Sequence, residues 1–200
     1  DNEDDSENLA TGNIIDAGTI DPADDPSGFI FEFDQSPVAA LPALAPILSA
    51  HITFTASAAG STDVDSSISG ELNVVPNNFG NGANNVSNRP RTAAIVSWPS
   101  VPSVTAEQTF TTPEIASIVQ EIVNQPGWNN NRTAALANPA DGNRDIMSIL
   151  VDGDDGGISR QIYARDSSSP KSAQLSVTYC KNNAYPAATQ QRVGLRFQDI

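Results

Sequence analysis

The sequence predicts an all-β protein, an antiparallel β-sandwich of jelly-roll type with one amphipathic helix and a C-terminal extension strand. Short segments that alternate apolar and polar residues recur along the 200 residues, and turn-forming Gly, Pro, Asn and Asp residues separate them. Only one stretch has helical periodicity. The chain is 38% hydrophobic, enough for a core, and its single cysteine excludes an internal disulfide framework.

About nine or ten short strands are expected in a sandwich of this length. The alternation is clearest in 28–34, where three phenylalanines share one face, and in 49–56. In the second segment Ala50, Ile52 and Phe54 would face the core. The other predicted strands are 13–20 at an edge, 68–74, 92–98, 104–110, 133–137, 146–151, 159–164 and 173–179.

The helix is predicted over residues 113–124. Five apolar residues recur there at helical spacing and would form one stripe that packs on the sheets. They are Ile115, Ile118, Val119, Ile122 and Val123. Thr112 suits the N-cap position and Pro113 the first helical position, while Asn-Gln-Pro-Gly at 124–127 ends the helix.

The charge is unevenly distributed along the chain. Residues 1–88 contain fourteen Asp and Glu and no Lys or Arg, whereas residues 89–200 are balanced, so the net charge is −14. The ordinary interpretation is solubility, and such a surface repels nucleic-acid phosphates and anionic lipid. No apolar run approaches the roughly 18 residues of a membrane span. We therefore expect neither nucleic-acid binding nor membrane insertion.

The domain organisation follows from these segments. Residues 1–180 form the sandwich body, with 1–12 as a mobile acidic start, 181–191 as a linker and 192–200 as a further strand. The chain starts without Met, is rich in Ser, Thr, Asn and Ala, and has few lysines. This composition predicts a secreted protein of the cell surface or an extracellular matrix.

No motif predicts an enzyme. His51 is the only histidine, and no G-x-S-x-G sequence is present. Asp152, Asp154 and Asp155 have the carboxylate density of a Ca²⁺ loop but lack the spacing of an EF-hand, so a solvated turn is the preferred interpretation. We expect no cofactor.

Two features of the sequence bear on glycans, namely glycosylation sequons and tryptophans. Asn85 and Asn131 begin glycosylation sequons in polar segments, so the chain has the acceptor sites of a glycoprotein. Trp98 and Trp128 could form a sugar-stacking platform, but their places at a strand end and a helix end favour a role in the core.

Several segments together are similar to a known module. SNRPRTAAIVSWPSVPS at 87–103, FTTPEIASIVQEIVNQPGW at 110–128 and SAQLSVTYC at 172–180 resemble a β-sandwich repeat module of large secreted and surface proteins of environmental bacteria. The resemblance is dense over 87–179 and weaker before it. It implies a structural or adhesive repeat and no catalytic activity.

The order of one strand departs from that module. In that module, a strand with a sequence like VGLRF comes just before the strand that corresponds to AHITFTA at 50–56 of this chain. In this chain the matching VGLRF lies at 193–197, after the other strands. The resemblance therefore implies a module with one strand moved to its other end.

The final strand can be used in two ways. Val193, Leu195 and Phe197 alternate on one face of 192–200, so the strand could complete its own sandwich or be donated to the next copy. The leading prediction is donation, which makes a head-to-tail filament or adhesive fibre of identical subunits on the cell surface or in a biofilm matrix. The predicted donor residues are Val193, Leu195, Arg196, Phe197 and Ile200, and the predicted acceptor groove is Ala50, Ile52 and Phe54. The alternative is a carbohydrate- or ligand-binding module of a larger secreted protein, with this strand on its own body.

Overall fold

The computed structural model describes residues 18–20, 27–34, 41–61, 65–74, 76, 86–128, 144–153, 160–163 and 169–180. These residues form nine strands and one α-helix, and every strand pairing is antiparallel. The elements are β1 Gly18–Ile20, β2 Ser27–Asp34, β3 Ile47–Thr55, β4 Ser66–Gly70, β5 Val96–Trp98, β6 Thr109–Thr111, α1 Ala116–Val123, β7 Arg144–Gly153, β8 Arg160–Ile162 and β9 Gln174–Tyr179. The predicted all-β class with one helix is confirmed; the predicted strand at 133–137 lies outside the described residues.

Two sheets enclose the main core. One has the strand order β2-β7-β4-β5 and the other β6-β3-β9. Phe54 of β3 joins them, since its ring lies 5.1 Å from Phe29, 5.4 Å from Phe110 and 6.3 Å from Trp98 between centroids. Aromatic rings at these separations make favourable offset or tilted contacts in addition to their burial. The inward alternation predicted for β3 is confirmed, because Ala50, Ile52 and Phe54 are all 0% exposed.

A two-stranded ribbon extends the β6-β3-β9 sheet. β8 continues along the edge of β3 that β9 occupies: the Tyr163 N–H donates to the Thr55 carbonyl at 3.0 Å, and the Ser57 N–H donates to the Gln161 carbonyl at 3.0 Å. β1 pairs with β8. The part of the sheet beyond β3 therefore consists of β9 and β8 placed end to end, with β1 beside β8.

The outer face of the β2-β7-β4-β5 sheet is also covered. Val86 and Leu150 are 0% exposed and form a second small cluster there. The segment that covers this face contains Val86, Arg89 and Arg91, and two ion pairs anchor it to the sheet. Arg89 contacts buried Glu71 at 2.6 Å, and Arg91 binds both carboxylate oxygens of Asp152. Because both faces of the sheet are covered, β7 is buried at successive positions instead of alternating.

The helix begins at Ala116 and not at 113, so Thr112 is not its N-cap, and Ile115 occupies that position without a side-chain cap. Thr112 instead continues the strand pairing of β6: its N–H donates to the Ile52 carbonyl at 3.0 Å, and its hydroxyl accepts the Ile52 N–H at 3.0 Å. The N-cap prediction was wrong because the hydrogen bonds to β3, on the side that β6 occupies, hold residue 112 in an extended conformation.

Gly70 makes room for the helix on β4. A Cβ atom placed there would lie 2.6 Å from Cδ1 of Ile122 and 2.9 Å from Cγ2 of Ile118. These distances are too short for carbon atoms, so the role of this glycine is close packing of strand against helix.

We predict that Gly70→Ala destabilises the fold by about 1–3 kcal/mol, because the added methyl overpacks this contact. Urea unfolding of the variant and the parent measures the difference. Ile122→Val removes the nearest atom, so Gly70→Ala should cost less in that background than alone. Equal costs in the two backgrounds would contradict the packing explanation.

Candidate functional site

The candidate site is the outer edge of β9, the edge that faces away from β3. On its inner side β9 pairs with β3 in the register Ala50↔Val177, His51↔Ser176 and Ile52↔Leu175. Of the strands in the described part of the chain, none pairs with the outer side. We call this side the open edge.

The backbone groups on the open edge can be assigned from the hydrogen bonds of β3. Ala50 and Ile52 direct their carbonyls to the N–H groups of Ile115 and Thr112, on the side opposite β9. In an antiparallel sheet the direction alternates from residue to residue, so His51 points its backbone groups at Ser176. The N–H and C=O groups of Leu175 and Val177 therefore point outward, where an added strand would find two donors and two acceptors.

The side chains of Leu175 and Val177 face the core but are only half-buried. Their partners on β3, Ile52 and Ala50, are 0% exposed. Both pairs lie on the same face of the sheet, but β3 has described neighbours on both sides, whereas none of the described strands covers the outer side of β9. A strand with apolar residues facing inward would cover this surface.

The four edge strands of the two sheets differ in how well they resist pairing. β5 and β6 have three residues each, and β2 carries Glu32 and Asp34 in its sequence. Short strands and charged residues are devices that suppress edge-to-edge pairing. The sequence of β9, QLSVTY, has neither a charged residue nor a proline. Of these four edges, that of β9 is the best suited to accept a strand.

The acceptor groove predicted at Ala50, Ile52 and Phe54 is corrected by this arrangement. β3 is paired with β9 on one side and with β6 on the other, and these three side chains are core. The half-buried apolar residues on an edge strand are Leu175 and Val177, one strand further out. Sequence reasoning missed them because alternation identifies the inward face of a strand but not whether the strand lies at an edge. The predicted donor residues, 192–200, lie outside the described residues.

A polar cluster joins β3 to the start of the helix on the opposite face of the same sheet. His51 Nε2 lies 3.1 Å from Glu114 Oε2, and the same oxygen accepts the Ser49 hydroxyl at 2.8 Å. His51 Nδ1 lies 3.2 Å from the carbonyls of Thr112 and Pro113. The serine thus donates to the carboxylate and not to the imidazole, so the cluster lacks the nucleophile-to-base hydrogen bond of a hydrolytic triad.

The pKa of Glu114 is lowered by its surroundings. Partial burial favours the neutral acid, but hydrogen bonds from the Ala50 N–H, the Ser49 hydroxyl and the Ala116 N–H stabilise the carboxylate, and His51 adds attraction when it is protonated. Together these interactions outweigh the burial. Glu114 therefore fastens the helix start to β3.

A second polar cluster holds the turn before β6. Glu107 accepts hydrogen bonds from the Tyr163 hydroxyl and, at 2.6 Å, from the Lys171 ammonium, which lies 4.7 Å from the Tyr163 ring centroid. The hydrogen bonds from Lys171 and Tyr163 lower the pKa of Glu107, and the bond to Glu107 raises the pKa of both partners. Because the Lys171 ammonium and the Tyr163 hydroxyl both keep their protons more firmly in this cluster, neither is suited to act as a general base.

The remaining predicted sites fall in different places. Asp152 binds Arg91 with both oxygens, whereas Asp154 and Asp155 lie outside the described residues. Within those residues, no group of three or more His, Cys, Asp or Glu could hold a metal ion. The sequons at Asn85 and Asn131 are likewise outside the description.

The two tryptophans belong to the core, as preferred from the sequence. Trp98 is 3% and Trp128 1% exposed, and the Trp128 indole N–H donates to the Leu41 carbonyl at 2.9 Å. Neither ring is available as a sugar-stacking platform.

The described part of the chain contains no helix that is long and apolar enough to cross a membrane. A scan against protein-family models and a search of curated proteins found no match to the chain.

We predict that Glu114→Gln destabilises the fold at neutral pH by about 1–2 kcal/mol, the lower part of the range for bonds to charged groups, since the carboxylate is half exposed. Because the folded-state pKa is lowered, the stabilisation is present above the unfolded-state pKa and is lost as the pH falls through the folded-state value. The difference between parent and variant should therefore shrink below about pH 4.3.

Urea unfolding at several pH values measures this difference. Ser49→Ala is the matched control, because it removes one hydrogen bond and keeps the carboxylate, and it should cost less than Glu114→Gln at neutral pH. A difference between parent and Glu114→Gln that stays constant down to about pH 3.5 would contradict the role of the charge.

Proposed function

We propose that the chain is a structural subunit of an extracellular filament or adhesive fibre, in which residues 192–200 of one subunit add to the open edge of β9 in the next. The observation that carries this proposal is the open edge itself, with outward backbone groups at Leu175 and Val177 and side chains that are only half-buried. The secreted location, the identical partners and the absence of a catalytic role belong to the same proposal.

The alternation of the tail matches the requirement of this edge. A strand beside β9 must place apolar side chains toward the core at every second residue, as Leu175 and Val177 do. Val193, Leu195 and Phe197 have that spacing. Backbone hydrogen bonds would supply most of the affinity and these side chains the specificity.

The linker permits a neighbour to be reached. Residues 181–191 number eleven, and eleven extended residues span roughly 36–40 Å. A donor at one end and an acceptor on the body form a heterologous contact, which generates a ring or an open filament. Repetition of this contact gives a head-to-tail polymer without any further interface.

One observation favours the alternative, a binding module with the tail on its own body. The tail is separated from β9 by the linker 181–191, and an antiparallel return to the same strand needs only a short connection, which this linker exceeds. In that case the chain would be a carbohydrate- or ligand-binding module of a larger secreted protein, closed on itself.

A pair of complementary variants separates donation from self-closure. Leu195→Asp with Phe197→Asp disables the donor, because it would bury two unpaired charges. Val177→Pro disables the acceptor, since it removes an N–H of the open edge and leaves the bonds between β9 and β3 in place. We predict that the parent forms filaments by electron microscopy, that each variant alone forms none, and that their mixture forms dimers in sedimentation.

Gln198→Asp is the control for the donor variant, because it puts a charge on the other face of the strand and should leave assembly intact. Ser176→Pro is the control for the acceptor variant, because it removes a bond to β3 and should destabilise the body. A parent that stays monomeric, or a mixture without dimers, would overturn donation.

A further inference from the structure

We infer that the open edge of β9 is self-complementary, so that two copies of the chain pair through it in a two-fold dimer. The occupant of the edge is β9 of a second copy. This inference goes beyond the proposed function, because it requires only the open edge and not the tail. In a chain that also donates its tail, the dimer competes with donation, since each copy blocks the acceptor edge of the other.

The backbone groups of β9 determine how two copies can pair. Those of Ser176 point to His51 of β3, whereas those of Leu175 and Val177 point outward. In an antiparallel pair, two residues that exchange hydrogen bonds must both point at the opposite strand. Pairing Leu175 with Val177 of the second copy meets this condition and places the two-fold axis at Ser176. The two outward donors and two outward acceptors of each copy are then all satisfied.

This register also covers the apolar side chains of the edge. Leu175 and Val177 face the core and are half-buried. Residues directly opposite each other in an antiparallel pair place their side chains on the same face, with Cβ atoms about 4.5–5.5 Å apart. Each leucine therefore packs against the valine of the other copy. The exposed polar residues Gln174, Ser176 and Thr178 meet on the other face.

The lack of charge on β9 suits a two-fold contact. Such a contact brings a strand against a copy of itself, so charges near the axis meet like charges. The chain has a net charge of −14, yet the β9 sequence QLSVTY contains no charged residue. β2, another edge strand, contains Glu32 and Asp34 in its sequence and lacks this property. The acidic bodies still repel each other, so the dimer is weakest at low salt, where this repulsion is least screened.

The contact is small. One strand of six residues from each copy makes an interface below the usual total of about 1,200–2,000 Å² for stable complexes, and interfaces below that size are typically weak and transient. We therefore expect a Kd on the order of 10 μM or weaker. Such a dimer leaves the edge available to a strand that binds more tightly.

Sedimentation of the full chain carrying Leu195→Asp with Phe197→Asp tests the inference. This donor variant keeps the open edge and cannot fill it with its own tail, either in the same copy or in the next. We expect a monomer–dimer equilibrium that shifts toward the dimer as the salt concentration rises. Val177→Pro in the same background removes an outward N–H and should abolish the dimer.

Charge exchange at the two-fold axis is a sharper test in the same background. Ser176→Lys places two ammonium groups opposite each other, and Ser176→Glu two carboxylates, so each variant should dimerise about two- to fivefold more weakly than the donor variant. An equimolar mixture of the two should form mixed dimers more tightly than either variant alone, because the facing charges are then opposite. The control is the same exchange at Thr111, which lies on β6 at the other edge of the sheet, where mixing should have no effect.

The outcomes separate self-pairing from donation. A donor variant that stays monomeric at every salt concentration would overturn self-pairing, while filaments of the parent would still support donation. A dimer that survives Val177→Pro, or a mixture of the Ser176 variants that dimerises no more tightly than each alone, would also overturn it. A parent that forms dimers through β9 but no filaments supports self-pairing and removes donation. Dimers made by donation contain one copy of each complementary variant, whereas self-paired dimers form from the donor variant alone.

Discussion

Strand β3 (Ile47–Thr55) provides the hydrogen bonds on which the rest of the structure depends. Its residues alternate in direction. Ala50, Ile52 and Phe54 place their side chains in the core and direct their backbone groups toward β6 and residues 112–115. The residues between them direct their backbone groups to β9, and Thr55 directs its carbonyl to the chain at β8. Because a buried strand must satisfy every N–H and C=O, the neighbours on both sides of β3 are fixed.

This requirement sets where the helix starts. Residues 112–115 are held against β3 through the Thr112 and Ile115 N–H groups, so α1 begins only at Ala116. The carboxylate of Glu114 binds the Ala50 N–H from the same side. The helix then packs on the glycine at position 70 of the facing sheet. One strand thereby positions the helix that closes the core.

The sequence allowed much of the fold to be predicted, because alternation and helical spacing depend on local geometry. It identified the inward residues of β3, the helix stripe and the burial of Trp98 and Trp128. It could not identify neighbours between strands. Leu175 and Ile52 lie in equally alternating segments, yet one is at an edge and the other is central. The contact of His51 with Glu114 joins residues that lie 63 positions apart in the chain and depends on strand order in the same way.

A strand received at the open edge would couple its binding to the stability of the body. Of the described strands, four form the β2-β7-β4-β5 sheet and three the facing β6-β3-β9 sheet, and β1 lies in the next row beside β8. No described strand occupies that row beside β9, and the half-buried Leu175 and Val177 retain exposed apolar surface. A strand added there gains backbone bonds and apolar burial together. Anything that binds only the folded body stabilises it, so strand addition from a second copy would link folding of each subunit to assembly of the chain of subunits.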